Sequence, residues 1–508
     1  MPKTLNDVPP EMLSEIMAFL DAKTLLLSSS VCSLWNEIVK SSPGLQYTIE
    51  LWAEGMVRGP SGTLSRAATL EILRERRRAW RNVQWKSTTV AEIESLHFCR
   101  AYELVGGIFA QQQTGPDFVT LSLSRIVEDA ESAWSAYPFG INPLDFQDFA
   151  IDPTLDLLVI VYVSPHDLAH VECRTLSTQQ VHPLAALPCL VFPHPRDPGM
   201  VLSIGIANDV VGLFFPEPAK RILFNWRLGF IISDAVEPVL FPIGDFHLLS
   251  PRSYILTRAD EDETRSGQIE IFTFDGDSPN TPKHVATLEL PEIAPHGFIT
   301  STTVQMGPFC AKPNPNTPFS KANEHRICMF LIRYNLDVWA RLFVHYRWLE
   351  RYTLPSVRGD NGTEPIIVPW DEWGPLNSRM LSGDDHRWIR HVHGERAALP
   401  CENKHHLLVL DFGVIPRRAD SLSLLPSPES ESSGSARSFA TVLVVEPSTM
   451  PDEDAVFLEE VTTSLPYRWT FRSVEKKHDL FLIDEDRIIG MDLEDDTTVR
   501  HEMTVYTL

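Results

Sequence analysis

The chain has 508 residues, of which 43% are apolar, and a formal net charge of −24. This composition predicts a globular chain that contains two or more domains, or one large β architecture with an appendage. The negative charge argues against general nucleic-acid binding, which requires a basic surface that displaces counterions.

Signals for membrane insertion and secretion are missing from the sequence. No run of about 18 apolar residues occurs, so we expect neither a transmembrane helix nor a membrane partner. The first residues lack a basic stretch followed by an apolar one, which argues against secretion. The seven cysteines are an odd number and include no Cys-x-x-Cys pair. This pattern favours a reducing compartment, so we expect a cytoplasmic or nuclear protein without structural zinc.

Residues 1–50 predict three short helices that follow one another with almost no loop. Pro10 suits the first turn of a helix, and Asp21 can cap a second one. Pro43 and Gly44 should end the third helix. Apolar residues recur at helical spacing in each segment. A module of this size cannot bury all of its apolar surface by itself, so we expect it to need a partner.

This segment resembles the F-box, the adaptor-binding motif of substrate receptors in SCF-type cullin–RING ubiquitin ligases, in its fungal type. Ten positions carry the resemblance, including a Val-Cys-x-x-Trp element: Val8, Pro9, Glu11, Leu13, Ile16, Leu20, Leu25, Val31, Cys32 and Trp35. Two departures are mild, because Val8 replaces a leucine and Ser33 replaces a common basic residue. The resemblance implies that the ten residues bind the adaptor subunit and, through it, cullin.

Residues 51–86 predict a helical connector. The sequence Gly59-Pro60-Ser61-Gly62 interrupts the chain, and residues 64–85 then continue without an internal proline or glycine. The arginines of this stretch could bind phosphate or nucleic acid. Their aliphatic stems also suit packing over apolar surface, and we favour a structural helix that joins two modules.

From residue 87 to residue 508 the pattern indicates β-strands. Apolar runs of four to eight residues, such as 157–163 and 210–215, are bounded by turn-forming residues. The connections lack the helices that a parallel sheet needs, so the strands should be antiparallel. Acidic residues open similar apolar strands at Asp156, Asp209 and Asp479. This weak repetition predicts a large all-β domain, a β-propeller of six to eight blades, with a pair of large β-sandwiches as the alternative.

Charge is distributed unevenly along the chain. Residues 1–86 contain 11 Lys+Arg against 9 Asp+Glu, a net charge of +2, which leaves −26 for residues 87–508. The acidic body could attract basic partners or could be an ordinary solvated surface. Residues 416–438, rich in Ser, Pro and charged side chains, predict a disordered loop that is either a spacer or a phosphate acceptor.

The sequence predicts no catalytic residue, metal ligand or cofactor site. The densest polar group could form a metal or acid–base cluster, although such groups are common on exposed hairpins: Asp384, Asp385, His386, His391, His393 and Glu395. No nucleophile elbow, phosphate-binding loop or dinucleotide fingerprint occurs. We therefore expect a chain that is not itself an enzyme.

The resemblance implies a substrate-recognition subunit whose F-box docks on the adaptor and whose β domain binds an unidentified target protein. Rate enhancement would then come from proximity and not from chemical groups of this chain. Two alternatives stay open. One is a scaffold protein that uses its F-box outside a ligase, and the other is a propeller-fold, metal-dependent hydrolase.

Overall fold

The chain begins as a helical module and continues as a ring of β-sheets. The computed structural model describes residues 8–508 without 61–63, 97–98, 100, 114–116, 127–132, 139, 195–202, 217–218, 237–242, 260–266, 314–316, 336, 359–363, 385–389, 415–438, 452–454 and 494–499. The predicted loop at 416–438 therefore lies outside the described residues, as do Asp385 and His386.

The helical module contains four helices, one more than the sequence predicted: α1 Pro10–Met17, α2 Ala22–Ser29, α3 Ser33–Ser41 and α4 Pro43–Ala53. The Asp21 carboxylate caps α2 by accepting a hydrogen bond from the backbone N–H of Thr24 at 2.9 Å. As predicted, α3 ends just before Pro43, and Pro43 also opens α4. A proline fits there because the first helical N–H has no partner within the helix.

The connector consists of a short strand and one long helix: β1 Met56–Arg58 and α5 Arg66–Asn82. The Ser65 hydroxyl caps α5 by accepting a hydrogen bond from the Ala68 N–H at 3.2 Å. The helix ends at Val83, which has a left-handed φ of 45°. The strand was not predicted, because three residues are too few to show an alternating pattern.

The β domain begins with strand β2 Ser87–Glu94, and the first three blades follow. The first blade contains β3 Ala101–Val105, β4 Ile108–Gln112, β5 Asp117–Ser122 and β6 Trp134–Pro138, and the second contains β7 Phe146–Asp152, β8 Leu157–Ser164, β9 Leu168–Thr175 and β10 Cys189–Pro193. The third blade contains β11 Ser203–Ala207, β12 Val210–Phe215, β13 Lys220–Asn225 and β14 Phe230–Val236. Within each blade, neighbouring strands pair in an antiparallel manner in chain order. The predicted turn after Asn225 is present, and Gly229 there has a φ of 75°.

Four further blades, one insertion and two short additions follow. The fourth blade begins with β15 Ile243–Ser250, β16 Ser253–Arg258, β17 Gln268–Thr273 and β18 Lys283–Glu289, and the region of the fifth blade with its insertion contains β19 Ile299–Met306, β20 Phe319–Lys321, β21 Ile327–Tyr334, β22 Val338–His345, α6 Tyr346–Glu350, a 3-10 turn Arg351–Thr353, α7 Pro355–Arg358, β23 Ile366–Val368, α8 Trp370–Asn377 and β24 Ser378–Gly383. The region of the sixth blade contains β25 Val392–His393, β26 Arg396–Pro400, β27 His406–Asp411, β28 Phe439–Val444, β29 Ser448–Thr449, β30 Thr462–Thr463 and β31 Tyr467–Ser473, and the seventh blade contains β32 Leu480–Ile483, β33 Arg487–Met491 and β34 Arg500–Thr507.

The described strands form seven sheets of four or five strands, which are the blades of a β-propeller. The innermost strands, β3, β7, β11, β15, β19, β25 and β32, contact one another in that order around the ring. The prediction of six to eight blades is therefore confirmed, with seven. Turns of the last and first blades are joined where the Gly107 N–H donates to the Asp484 carboxylate at 2.5 Å.

The last blade is built from both ends of the β domain. Strand β2 pairs in an antiparallel manner with β34 along its whole length, from Ser87 opposite Thr507 to Glu94 opposite Arg500. Strands β32 and β33 complete the same sheet. The ring is therefore closed by backbone hydrogen bonds between segments about 400 residues apart in sequence, which leaves no open seam between its first and last strands.

An insertion in the fifth blade supplies the only exception to antiparallel pairing among the described blades. Strand β23 pairs parallel to β18 of the fourth blade. Helix α8 follows, and the indole N–H of its Trp373 donates to the Glu289 carbonyl at 2.8 Å. The insertion therefore ties the fourth and fifth blades together. Among the described helices, none has the length and apolar character needed to cross a membrane.

Candidate functional site

Six apolar side chains of the helical module lie exposed to solvent between residues 12 and 31. Met12 and Ile16 share a face of α1, since they are four residues apart, and are 58% and 52% exposed. We call the whole set the docking face: Met12, Ile16, Phe19, Leu26, Leu27 and Val31. Such a concentration of exposed apolar side chains indicates a protein interaction surface.

The ten residues predicted to bind a partner fall into three groups in the structure. Pro9, Glu11, Ile16 and Val31 are exposed, whereas Val8, Leu20, Cys32 and Trp35 are partly buried. Leu13 and Leu25 are only 2% and 0% exposed and form the core of the module with Met17 and Ile38. These two leucines support the module from inside and are not available for direct contact with a partner.

The helical module is fixed to the propeller by polar contacts. Strand β1 pairs with β20, and the ammonium of Lys321, the last residue of β20, donates to the Glu54 carbonyl at 2.9 Å. From α5, the Arg76 guanidinium reaches Asp486 at 2.7 Å and Glu485 at 3.2 Å in the turn between β32 and β33. The arginine is only 6% exposed. Arg76 therefore forms an ion pair that joins the connector to the propeller.

Apolar packing adds to this junction. Trp80 of α5 is 3% exposed and lies in one core with side chains of the sixth and seventh blades, including Val409 and Ile488. The Arg396 guanidinium lies over its ring, 4.7 Å from the centroid. A helix held by both a buried ion pair and a buried tryptophan gives the docking face a fixed position relative to the propeller.

A large cavity opens at the propeller face on which the helical module sits. Its volume is about 630 Å³, and its wall comes from turns of the first, second, fifth, sixth and seventh blades. Cations such as Lys312 and Arg487 and carboxylates such as Asp156 and Asp484 both line it. Since both signs of charge are present, the electrostatics of this cavity do not select one class of ligand.

A protein-family model described as "F-box domain" matches residues 5–47, which include α1, α2, α3 and the start of α4. The chain carries an F-box domain. No curated protein matches the sequence. An F-box joined to a β-propeller supports a substrate-receptor role in general, and the docking face lies within the matched residues.

Three solved structures are similar to the chain at low sequence identity. The WD40 domain of SCAP from fission yeast is 8% identical, with 83% of this chain and 94% of that chain covered and a TM-score of 0.35. The β-propeller domain of Cps50 (Swd1) from Myceliophteria thermophila is 9% identical, with coverages of 82% and 99% and a TM-score of 0.38. A chain of the Mitotic Checkpoint Complex is 5% identical, with coverages of 83% and 95% and a TM-score of 0.33. The seven blades follow from the strand pairing of this chain itself.

Replacing Arg76 by methionine is expected to loosen the F-box from the propeller. Methionine keeps much of the stem but removes the guanidinium that pairs with Glu485 and Asp486, which should cost about 2–3 kcal/mol of unfolding free energy. Denaturant unfolding and hydrogen exchange of α5 measure the effect. The matched control is Arg78→Met on the same helix, because Arg78 is 66% exposed and pairs only with the exposed Glu71. An equal loss in both variants would contradict the assigned role.

The polar residues considered around His391 do not come together in one site within the part of the chain that is described. His391 is fully buried. His393 bonds to Glu485 at 3.2 Å, and Glu395 pairs with Lys321 at 2.9 Å. Although burial opposes ionisation, the charge of Lys321 and the hydrogen bond from His325 lower the pKa of Glu395 well below its usual range. The described residues hold no group of His, Cys, Asp or Glu suited to a metal ion.

The innermost strands also hold charged groups that sequence reasoning did not single out. Glu103 of β3 forms an ion pair with Arg390, which precedes β25. Burial raises the pKa of Asp148 on β7 to about 8, and the neighbouring charge of Glu103 adds to this shift. Burial also lowers the pKa of His247 on β15 to about 3, with Arg390 acting in the same direction. Asp148 and His247 are therefore both predominantly neutral near pH 7.

Asp148→Asn is expected to stabilise the propeller progressively as the pH rises. The carboxyl is protonated in both states below about pH 4, but between about pH 4 and pH 8 only the unfolded state ionises readily, so the wild type loses stability. Asparagine stays neutral and can still accept the hydrogen bond from Phe149. Thermal unfolding at several pH values measures the difference. The control Asp337→Asn, at an exposed position, should show no such trend, and a pH-independent Asp148→Asn difference would contradict the shift.

Proposed function

We propose that this chain is the substrate-recognition subunit of an SCF-type cullin–RING ubiquitin ligase in the cytoplasm or nucleus. The F-box docks on the adaptor subunit and, through it, on cullin. The propeller binds the target protein, and this chain contributes no catalytic group. The docking face is the observation that carries the proposal, because its six exposed apolar side chains lie inside the matched F-box residues.

The junction supports this role in a second way. A ligase subunit of this kind accelerates transfer by holding the target near the ubiquitin-charged enzyme, and proximity of this kind works only when the geometry is defined. The buried Arg76 ion pair and the buried Trp80 restrict motion between F-box and propeller. A target on the propeller is thereby held at a defined distance from the adaptor.

Co-isolation of cullin and target ubiquitination test the proposal together. The tagged wild-type chain and an Ile16→Asp/Val31→Asp variant are expressed in cells, and bound cullin and the ubiquitinated peptides of the proteome are quantified. We expect cullin only with the wild type, and a set of proteins whose ubiquitination falls in the variant. Adaptor without cullin on the wild type would favour the scaffold alternative. A stoichiometric bound metal would favour the hydrolase.

A further inference from the structure

A second cleft, of about 360 Å³, lies between the fifth and sixth blades and is lined by residues of β22, β24, β26, β27 and β31. Its wall is mainly apolar and aromatic and includes Leu381, Leu408, Leu410, Tyr467 and Trp469. Leu381, Tyr467 and Trp469 are only partly buried, so the cleft has access to solvent.

One charged side chain, Arg341 of β22, lines this apolar cleft. Its Nε atom is buried and has no hydrogen-bond partner in the described part of the chain. Burial lowers the pKa of its guanidinium, and Asp384 opposes this shift by its charge without forming a hydrogen bond. A buried N–H group that lacks an acceptor lowers the free energy of unfolding, so an arginine kept in this position calls for an explanation.

The neighbouring Arg379 shows that the fold can supply hydrogen-bond acceptors to a buried arginine in this part of the propeller. It is 0% exposed and donates to the Leu465 carbonyl at 2.9 Å and to the Ser448 hydroxyl at 2.6 Å. Arg341 has no comparable set of acceptors. The fold also makes room for it, since a Cβ atom at Gly383 would lie 2.9 Å from the Arg341 Cγ. The cleft therefore holds a cation for which the fold makes room, and whose Nε has no acceptor among the described residues.

We infer that the cleft binds a peptide segment of the target in which a carboxylate side chain stands next to leucine-like side chains. The guanidinium offers a carboxylate parallel N–H donors in a partly dehydrated setting, where such bonds are strong. The leucines and aromatic rings would cover the flanking apolar side chains. A volume of 360 Å³ lies at the small end of ligand sites, which suits a few side chains.

The inference rests on the proposed function only in taking the peptide to be part of a ubiquitination target. Adaptor binding uses the docking face, which shares no residue with the cleft. Loss of adaptor binding with intact peptide binding would overturn the proposed function alone. Loss of peptide recognition with intact adaptor binding would overturn the inference alone.

Binding of labelled peptides to the full chain tests the inference. The probes are fluorescent octapeptides with a central Glu or Gln flanked by Leu, together with a Glu probe flanked by Ser. We expect the wild type to prefer the Glu–Leu probe over both others by about tenfold or more. Arg341→Met, which keeps an apolar stem, should remove the preference for Glu over Gln. Gly383→Ala should weaken binding by displacing Arg341.

The control is Arg125→Met, an exposed arginine that lines the 630 Å³ cavity and not the cleft, and it should bind as the wild type does. Absence of Glu-dependent binding at concentrations up to about 1 mM would overturn the inference. An unchanged Glu preference in Arg341→Met would also overturn it. A variant lacking residues 416–438 is tested in parallel. If only this variant binds the probe, the cleft is covered by the chain's own segment, and an external partner is ruled out.

Discussion

Deleting residues 500–508 is expected to unfold the propeller. The deletion removes β34, the central strand between β2 and β33 in the seventh blade. It also removes four buried apolar side chains: Met503, Val505, Tyr506 and Leu508. Each contributes about 1.5–3 kcal/mol when fully buried, so their joint loss is comparable with the net stability of about 5–15 kcal/mol that is typical of a domain.

Thermal unfolding and limited proteolysis measure the effect of this deletion. We expect no cooperative transition and rapid cleavage throughout the β domain, since β2 and β33 both lose a partner. The matched control is Glu502→Ala, because Glu502 lies on the same strand with an exposed side chain and should leave the transition nearly unchanged. A truncated chain that still unfolds cooperatively near the wild-type temperature would contradict closure of the ring by β2 and β34.

The double substitution Ile16→Asp and Val31→Asp is expected to abolish adaptor binding while the F-box stays folded. Both side chains are more than half exposed, so charging them costs the isolated chain little. In the complex, two apolar contacts would be lost and two carboxylates would be buried without partners. We expect affinity for the purified adaptor to fall by about 100-fold or more.

Calorimetric titration and circular dichroism of the same samples separate docking from folding. Leu64→Asp is the matched control, because Leu64 is 48% exposed but lies outside the docking face, and it should bind as the wild type does. Leu13→Asp should also lose binding, but through unfolding, since Leu13 is in the core. Wild-type affinity in the double variant would contradict the assignment of the docking face.

Local sequence patterns predicted much of this architecture. The Asp21 cap, the apolar runs of the strands and the Asn225 turn all depend on residues near one another in the chain, where propensity and periodicity act directly. The resemblance to the F-box was confirmed over residues 5–47. None of these features depends on contacts between segments that are distant in the sequence.

Features that depend on distant pairing could not be predicted. Nothing in β2 specifies that its partner is β34. The parallel pairing of β18 with β23 could not be predicted for the same reason, because β23 belongs to the insertion of the fifth blade and pairs with a strand of the fourth. Arg341 was missed for a related reason. Its sequence neighbours read as an ordinary strand, and only the packing of two blades reveals the cleft.

The candidate docking residues show the limit of helical periodicity. Leu13 and Met12 are adjacent and both apolar, yet one is buried and the other is 58% exposed. Periodicity identifies an apolar helix, but it does not decide which apolar residues face the core when both faces are apolar. Met12, Phe19, Leu26 and Leu27 were therefore left out of the predicted set, although the excess of apolar residues around the helices was a signal of a second face.

We propose that the F-box docks this chain on the adaptor subunit of a cullin–RING ligase. Light scattering of the purified full chain mixed with purified adaptor, after size-exclusion chromatography, tests it most directly. We predict a single one-to-one complex whose mass is the sum of the two proteins. Two separate peaks at the masses of the individual proteins, with a folded and monodisperse chain, would contradict the claim.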